Sequence, residues 1–305
     1  MEVIVLGSAA GGGFPQWNCN APTSKAAREG AGGAQQRTQA SIAVSADGEN
    51  WLLVNASPDL RQQLLQNRAF WPRQGLRDSP IKAVLLTSAE IDHVAGLLSM
   101  RESQPFRLWA TSSVLGILAE NPIFGALAPD YVERSAFPLG DPIKIAGASG
   151  DLGLVIEAFP VPGKVPLFLE SRHVGDLAGG VEDTIGLEIR SGAARFHFIP
   201  GCARLTPALR ERLRGSPLIF FDGTLWSDTE LVDLGISAKT GARMGHMSIS
   251  GADGTMAAFE GLAIGRKVFI HVNTTNPVLD EASLEHAATV AAGWEVAQDG
   301  MRISL

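Results

Sequence analysis

In the stretch AVLLTSAEIDHVAGLL, residues 83 to 98, an apolar run from Ala83 to Leu86 gives way to Thr87, Ser88, Glu90, Asp92 and His93. An apolar-periodic segment resumes at Val94. Ser88, Glu90, Asp92 and His93 occupy the slots of an H-x-H-x-D-H metal motif whose first two histidines are absent. Two further apolar runs end in the same way: PLIFFDGTLWSD finishes in Asp222 and RKVFIHVNTTNP in His271. Carboxylate oxygens and neutral imidazole nitrogens are ligands for Zn, Fe(II) or Mn, and two His with one or two carboxylates leave positions open for a substrate. Taken alone, Asp92 and His93 admit another reading, in which Asp92 caps the next helix and His93 is a satisfied turn histidine. Three strand ends with the same chemistry favour a shared site.

Such residues need strands to deliver them and turns to aim them. Apolar runs predict strands at Val3–Gly7, Thr38–Ser45, Trp51–Asn55, Lys82–Thr87, Arg107–Ala110, Leu152–Phe159, Thr184–Arg190, Arg195–Ile199, Leu218–Asp222 and Lys267–Val272, with weaker ones near Trp294 and Arg302. Helices are predicted at Pro58–Gln66, with Ser57 as N-cap, and at His93–Arg101, Ser112–Glu120, Pro207–Leu213, Asp253–Ile264 and Leu279–Ala291. Gly and Pro crowd 140–153 and 160–166, read here as loops joining two integrated halves, about 1–150 and 151–305, of a single domain. The glycines at 7, 11, 12 and 13 fit neither G-x-G-x-x-G nor a G-K-[ST] ending, so they predict a tight loop rather than a nucleotide site.

The chain has 305 residues, 45% hydrophobic and 19% charged, with a net charge of -7. No apolar run reaches the roughly 20 residues that span a bilayer, and the start MEVIVLGSAAGGG lacks a basic n-region, so a cytoplasmic location is expected. The charge argues against a nucleic-acid surface. Only Cys19 and Cys202 are present, which excludes a disulfide framework and a Cys-rich zinc site; Cys19 reads as an ordinary thiol and Cys202 as a buried small residue. Among the other histidines, His197 reads as structural, His286 as solvent-facing and His173 as undecided. Asn273 and Asn276 are expected to shape the turn after His271.

The order of these segments resembles the metallo-β-lactamase superfamily, and LGSAAGGGFPQWNCN at 6–20, VPGKVPLFLE at 161–170, FIPGCARLT at 198–206, FDGTLW at 221–226, KTGARMGHM at 239–247 and FIHVNTTNPVL at 269–279 resemble its pyrroloquinoline quinone (PQQ) biosynthesis protein B family. The resemblance runs nearly end to end. It implies an α+β fold, a metallo-β-lactamase-like αββα sandwich of two mixed sheets flanked by helices. It assigns Asp92, His93, Asp222 and His271 to the superfamily's second metal position. Ser88, Glu90 and Lys164 stand where hydrolases keep three histidines of the first position, so the expectation is one divalent metal per chain, Fe(II) in preference to Zn(II). A structural zinc of the kind that further cysteines after WNCN would build is not expected here, because NAPTSKAAREG follows Cys19.

The function implied is a mononuclear iron-dependent oxygenase that hydroxylates the tyrosine ring of a crosslinked Glu-Tyr-derived PQQ precursor. His246 would transfer protons or bind substrate; Lys164, Lys239 and Arg243 would hold a small anionic precursor. Lys164 pairing only with Glu90 is the alternative for that residue. Two other functions stay open: a soluble carrier of PQQ or its precursor toward the periplasm, and a metal-dependent hydrolase of the precursor peptide, against which the lost ligands count. Other PQQ-pathway proteins are the partners the resemblance suggests.

Overall fold

The computed structural model describes residues 1–172 and 178–305. Among these residues the first half supplies β1 (Glu2–Gly7), β2 (Ser41–Ser45), β3 (Trp51–Val54), β4 (Ile81–Leu85), β5 (Phe106–Ala110) and β6 (Val132–Ala136), which lie side by side in sequence order. A second sheet takes β7 (Ile143–Gly147), β8 (Gly150–Pro160), β9 (Ile185–Ser191), β10 (Ala194–Ile199), β11 (Leu218–Asp222), β12 (Arg266–Ile270) and β13 (Trp294–Val296), again in order. The last strand, β14 (Arg302–Ser304), returns to the first sheet and pairs antiparallel with β1.

Both sheets follow one plan. β1 to β3 run antiparallel and β3 to β6 parallel; β7 to β10 run antiparallel and β10 to β13 parallel. Parallel neighbours require crossovers on the sheet face. After α1 (Pro22–Glu29), which joins β1 to β2, these are α2 (Leu60–Gln66), α3 (Ile91–Val94), α4 (Ser112–Glu120), α5 (Pro207–Leu213), α6 (Glu230–Asp233), α7 (Thr255–Ala258) and α8 (Leu284–Ala291). Alternating residues of each strand then face two different cores. Val5, Ile42, Val54 and Leu85 meet Leu154, Leu187, Phe198 and Phe220 between the sheets. Ile4, Leu53, Val84 and Leu108 pack under Leu60, Val114 and Leu118 on one outer face, and Ile219, Phe221 and Phe269 under Leu209, Phe259 and Trp294 on the other. Each such apolar side chain, fully buried, stabilises the fold by about 1.5–3 kcal/mol. The result is the expected αββα sandwich.

Several local expectations are corrected. Residues 140–153 are not a loop: β7 and β8 form a hairpin there, with Ile143 opposite Ile156 and Gly147 opposite Gly150. Ser57 does not cap a helix, because its Oγ donates to the Gln63 side chain at 3.1 Å and the helix begins only at Leu60. The segment from His93 loses α geometry at Ala95, where Gly96 packs so closely on the 56–57 backbone that a Cβ would lie 2.0 Å from the Ser57 carbonyl. The helix expected over 253–264 stops at Ala258, and positive φ at Gly261 and Ala263 turns the chain away. The last helix starts at Leu284 rather than Leu279, since extended Asp280 breaks the path and Ser283 accepts a bond from the His286 amide. α1, α6, β6 and β7 have no counterpart among the expected elements.

His286 is half-buried rather than solvent-facing, with Nδ1 on the Val278 carbonyl at 2.9 Å. His197 is structural: it is 1% exposed, its Nδ1 lies 2.8 Å from Ser216 Oγ, and its Nε2 lies 3.8 Å from Glu188. Burial pushes this imidazole down to about 4 against the pull of Glu188. Its unfolded value is about 6.5, so between these values the unfolded chain binds the proton that the native chain refuses. Stability is therefore complete above about pH 6.5 and falls, by up to about 3 kcal/mol, as pH drops toward 4. Urea titrations of His197→Asn across pH 7 to 4 are expected to lack this part of the slope; an unchanged slope would refute the assignment.

Candidate metal centre

All the strand-end residues converge where the parallel strands of both sheets terminate, the region where open α/β sheets place ligands. Backbone bonds tie the sheets together there: Ile185 N to Thr87 O at 3.0 Å, Val272 N to Ser8 O at 3.0 Å and Ala10 N to Val272 O at 2.9 Å. From the first sheet, β4 runs out through Thr87 and Ser88 into α3, which carries Asp92 and His93. Asp92 is thus inside the helix, and Glu90 is at its N-cap position. From the second sheet come Asp222, the last residue of β11, and His271, the residue after β12. His271 has φ +61, a left-handed conformation that costs a non-glycine residue about 1–3 kcal/mol and is held here by its surroundings.

The contacts join 92 to 271 and 222 to 246. Asp92 Oδ2 lies 2.9 Å from His271 Nε2, and Asp222 Oδ2 lies 2.7 Å from His246 Nδ1. The His246 and His271 rings stack with centroids 5.3 Å apart. Asp92, His93 and His271 form one group whose donor atoms lie within 4.8 Å of one another, and Asp222, His246 and His271 form another; His271 belongs to both. The four ligands named from sequence are therefore divided over two overlapping groups, and His246 enters the second.

A set of hydroxyl and amide groups, of which only Ser88 falls in the sequence motif, orients these side chains. Thr224 Oγ donates to Asp222 Oδ1 at 2.6 Å, which leaves its lone pairs to accept from His271 Nδ1 at 2.9 Å. Thr224 N and Cys202 N also bind the Asp222 carboxylate, at 3.0 and 2.9 Å. Ser88 Oγ sits 2.7 Å from His93 Nδ1. Thr87, which carries this turn, is fixed by the amide of Asn55, at 2.9 Å for both Asn55 Nδ2 to Thr87 Oγ1 and Thr87 N to Asn55 Oδ1. Asn55 itself has φ +61 at the end of β3. The only sequence signal for these groups is their position one to three residues past a strand.

The electrostatics follow from burial and pairing. Burial raises the Asp92 carboxyl, but the charge of His93 and the hydrogen bond from His271 overcome it and hold the group well below the usual carboxylate range. Asp222 is lowered too, burial being outweighed by His246. Burial lowers His93, whereas His271 is raised because the bond and charge of Asp92 outweigh burial. These donors fit a divalent cation. His93 Nε2 is buried with no hydrogen-bond partner among the described residues, while its Nδ1 is taken by Ser88. With His271 Nδ1 committed to Thr224, the contact between His271 Nε2 and Asp92 requires a positive species, a proton or a metal, between two electron-rich atoms.

Asp92, His93, His246 and His271, but not the fully buried Asp222, line a cavity of about 430 Å³, whose wall also includes Gly11, Lys164, Glu170, Lys239 and Asn273. Lys164 Nζ binds Glu90 at 2.8 Å and Glu170 at 3.3 Å, so it does not pair with Glu90 alone. Lys239 reaches Glu170 at 2.6 Å. Arg243 is not in this cavity; Gly245, at φ +86, reverses the chain, and Arg243 lines an adjoining one of about 1180 Å³. Asn276 shapes the turn, its Oδ1 capping Val278 N at 3.1 Å. Cys202 is buried and its thiol is pushed up to about 12, by burial and then by Asp222. Cys19 is a free, partly exposed thiol; burial raises it, but hydrogen bonds from Ser24, the Ala21 backbone and Thr274 hold it below the usual value. His173 lies outside the described residues.

Residues 50–272 match the family model described as the β-lactamase superfamily domain. Coenzyme PQQ synthesis protein B of Xanthomonas campestris pv. campestris (strain B100) is 63% identical over 305 residues, all of both chains. The protein of the same name from Gluconacetobacter diazotrophicus is 54% identical over 307 residues, covering 100% of this chain and 99% of that one. The crystal structure of Zn(2+)-bound PqqB from Methylobacterium extorquens superimposes over the full length of both chains with a TM-score of 0.94 at 47% identity. A diphosphatase of the PhnP family, 20% identical with a TM-score of 0.67, shares the fold. The sandwich and its edge cluster thus define a β-lactamase-superfamily protein. Within that class, the chain belongs to the coenzyme PQQ synthesis protein B family.

Removing Lys164 would strand two acids in a partly enclosed wall, so Lys164→Met is expected to lower stability by about 1–3 kcal/mol. Adding Glu90→Gln is expected to recover part of that loss, read as a non-zero coupling in a double-mutant cycle of urea unfolding. Strict additivity would show that the pair contributes nothing.

Proposed function

We propose that this chain acts in coenzyme PQQ biosynthesis as a mononuclear, metal-dependent oxygenase that hydroxylates the tyrosine ring of a crosslinked Glu-Tyr-derived precursor. The observation that carries the reading is the buried His93 Nε2, unpartnered among the described residues, beside the Asp92 and His271 pair. Asp92, His93 and His271 would hold the metal, together with Asp222. When bound there, Fe(II) supplies activation of dioxygen, whereas Zn(II), present in the Methylobacterium extorquens relative, supplies only Lewis acidity; nitrogen and oxygen donors accept both. Ser88, Glu90 and Lys164 occupy the slots that would carry another metal's histidines, which argues against two-metal hydrolysis.

The chain's own residues supply binding and proton transfer. Thr224 and Ser88 fix the two imidazoles so that each presents Nε2. His246 shares Nδ1 with Asp222, leaving Nε2 as the ring nitrogen free to exchange a proton with the ligand. Lys164 and Lys239 face the cavity and offer ammonium donors to substrate carboxylates. The cavity of about 430 Å³ suits a small molecule and not a folded peptide.

Aerobic incubation of a crosslinked Glu-Tyr substrate and ascorbate with the Fe(II)-loaded protein is expected to add one oxygen atom by mass spectrometry. Neither the zinc-loaded protein nor His93→Ala should do so. No mass change, together with tight binding of the finished quinone, would replace this reading with that of a carrier. Independently of turnover, Ser88→Ala and Thr224→Val should each weaken zinc binding by about 10–100-fold in chelator competition. Unaltered affinity would remove their assigned role.

A further inference from the structure

The wall of this cavity carries a second constellation, an unbroken chain of alternating charges. Glu90 Oε1 meets Lys164 Nζ at 2.8 Å, Lys164 meets Glu170 Oε1 at 3.3 Å, and Glu170 Oε2 meets Lys239 Nζ at 2.6 Å. All four line the same cavity as the histidines. Their signs cancel, so the wall is not a trap for anions. A ligand bearing carboxylates alone meets Glu90 and Glu170 as like charges, and a ligand bearing an amine alone meets the two lysines. Only a ligand with both charges on adjacent atoms extends the alternation.

Glu170 points the same way independently. Its Oε1 is buried and accepts no hydrogen bond among the described residues, although Lys164 lies near enough for an ion pair. Burial raises this carboxyl, but Lys239 and then Lys164 lower it below the usual range, so it presents a charged acceptor with bonding capacity to spare. Such an acceptor is matched by an N–H donor on a ligand. The lysine ammoniums each carry three protons and retain donors for a carboxylate.

We propose that the cavity recognises its ligand by an α-amino-acid head, whose ammonium is taken by Glu90 and Glu170 and whose carboxylate is taken by Lys164 and Lys239. This rests on the functional reading above only in taking this cavity as the ligand-binding one. It assigns Glu170 as a specificity residue, and it separates a precursor with a free amine from a tricarboxylic quinone whose nitrogens are locked into rings. The quinone carries the carboxylates without the ammonium and is held less well.

The test is calorimetric binding to the zinc-loaded protein, which needs no turnover. The probes are L-tyrosine, its deaminated analogue 3-(4-hydroxyphenyl)propanoate, its decarboxylated analogue tyramine, and PQQ. L-Tyrosine is expected to bind at least about tenfold more tightly than the other three, the effect of losing one charge-assisted contact. Glu170→Gln is expected to bring the deaminated analogue to within about threefold of tyrosine while zinc content stays unchanged. Equal binding of tyrosine and the deaminated analogue by the unaltered protein would overturn the proposal, as would tighter binding of PQQ or no binding of tyrosine at all. In that case the four charges are only a clasp between loops. Failure of oxygen incorporation with this ranking intact would sink the oxygenase reading alone.

Discussion

Two sheets that share no strand have to deliver their strand ends to within 2.9 Å of one another, and the rest of the molecule is arranged around that demand. Side-chain contact between Asp92 and His271 does not set this spacing. The backbone does, through Thr87 to Ile185 on one side and Val272 to Ser8 and Ala10 on the other. Peptide groups hold position more closely than long side chains, so the imidazoles and carboxylates inherit their placement from the sheets. The left-handed residues Asn55 and His271 mark where the chain leaves each sheet to reach the site.

Ser88, Glu90 and Lys164, at the slots where the resemblance places histidines in hydrolases, have all been given new contacts. Ser88 orients His93, and Glu90 and Lys164 bind each other and extend to Glu170 and Lys239. A histidine cluster without its metal would leave several imidazoles short of partners, whereas Ser88, Glu90 and Lys164 are each paired. The two neighbouring regions of one cavity therefore differ in kind. One is a nest of buried donors that calls for a cation, and the other is a neutral row of ion pairs.

The sequence made the strands legible because buried parallel strands are short apolar runs cut off by Gly, Pro or polar residues, and LIFFD and KVFIH have that form. It concealed β6, whose residues VERSA are mostly exposed at a sheet edge, and β7, whose glycine-rich hairpin reads as a loop. The shared plan of the two sheets left no trace, since topology is preserved by pattern and not by residue identity. At the site, Asp and His at strand ends were conspicuous because burial there is costly for them. Asn55, Thr87 and Thr224 were not, because the same residue types end ordinary strands and make ordinary turns. Their role lies in which lone pair they leave free, and that is visible only in three dimensions.

The bond between Asp92 and His271 closes a span of 179 residues. At a synthesis rate of about 5–20 residues per second, roughly 10–35 s separate the emergence of these two residues from the ribosome. Throughout that interval the nascent chain displays Asp92 and His93 without the partner that both donor groups share. A lone Asp-His pair is a poor trap for any cation. All the groups of the cluster can meet a cation only after β12 has docked, so any choice among ions would fall to a nearly finished protein.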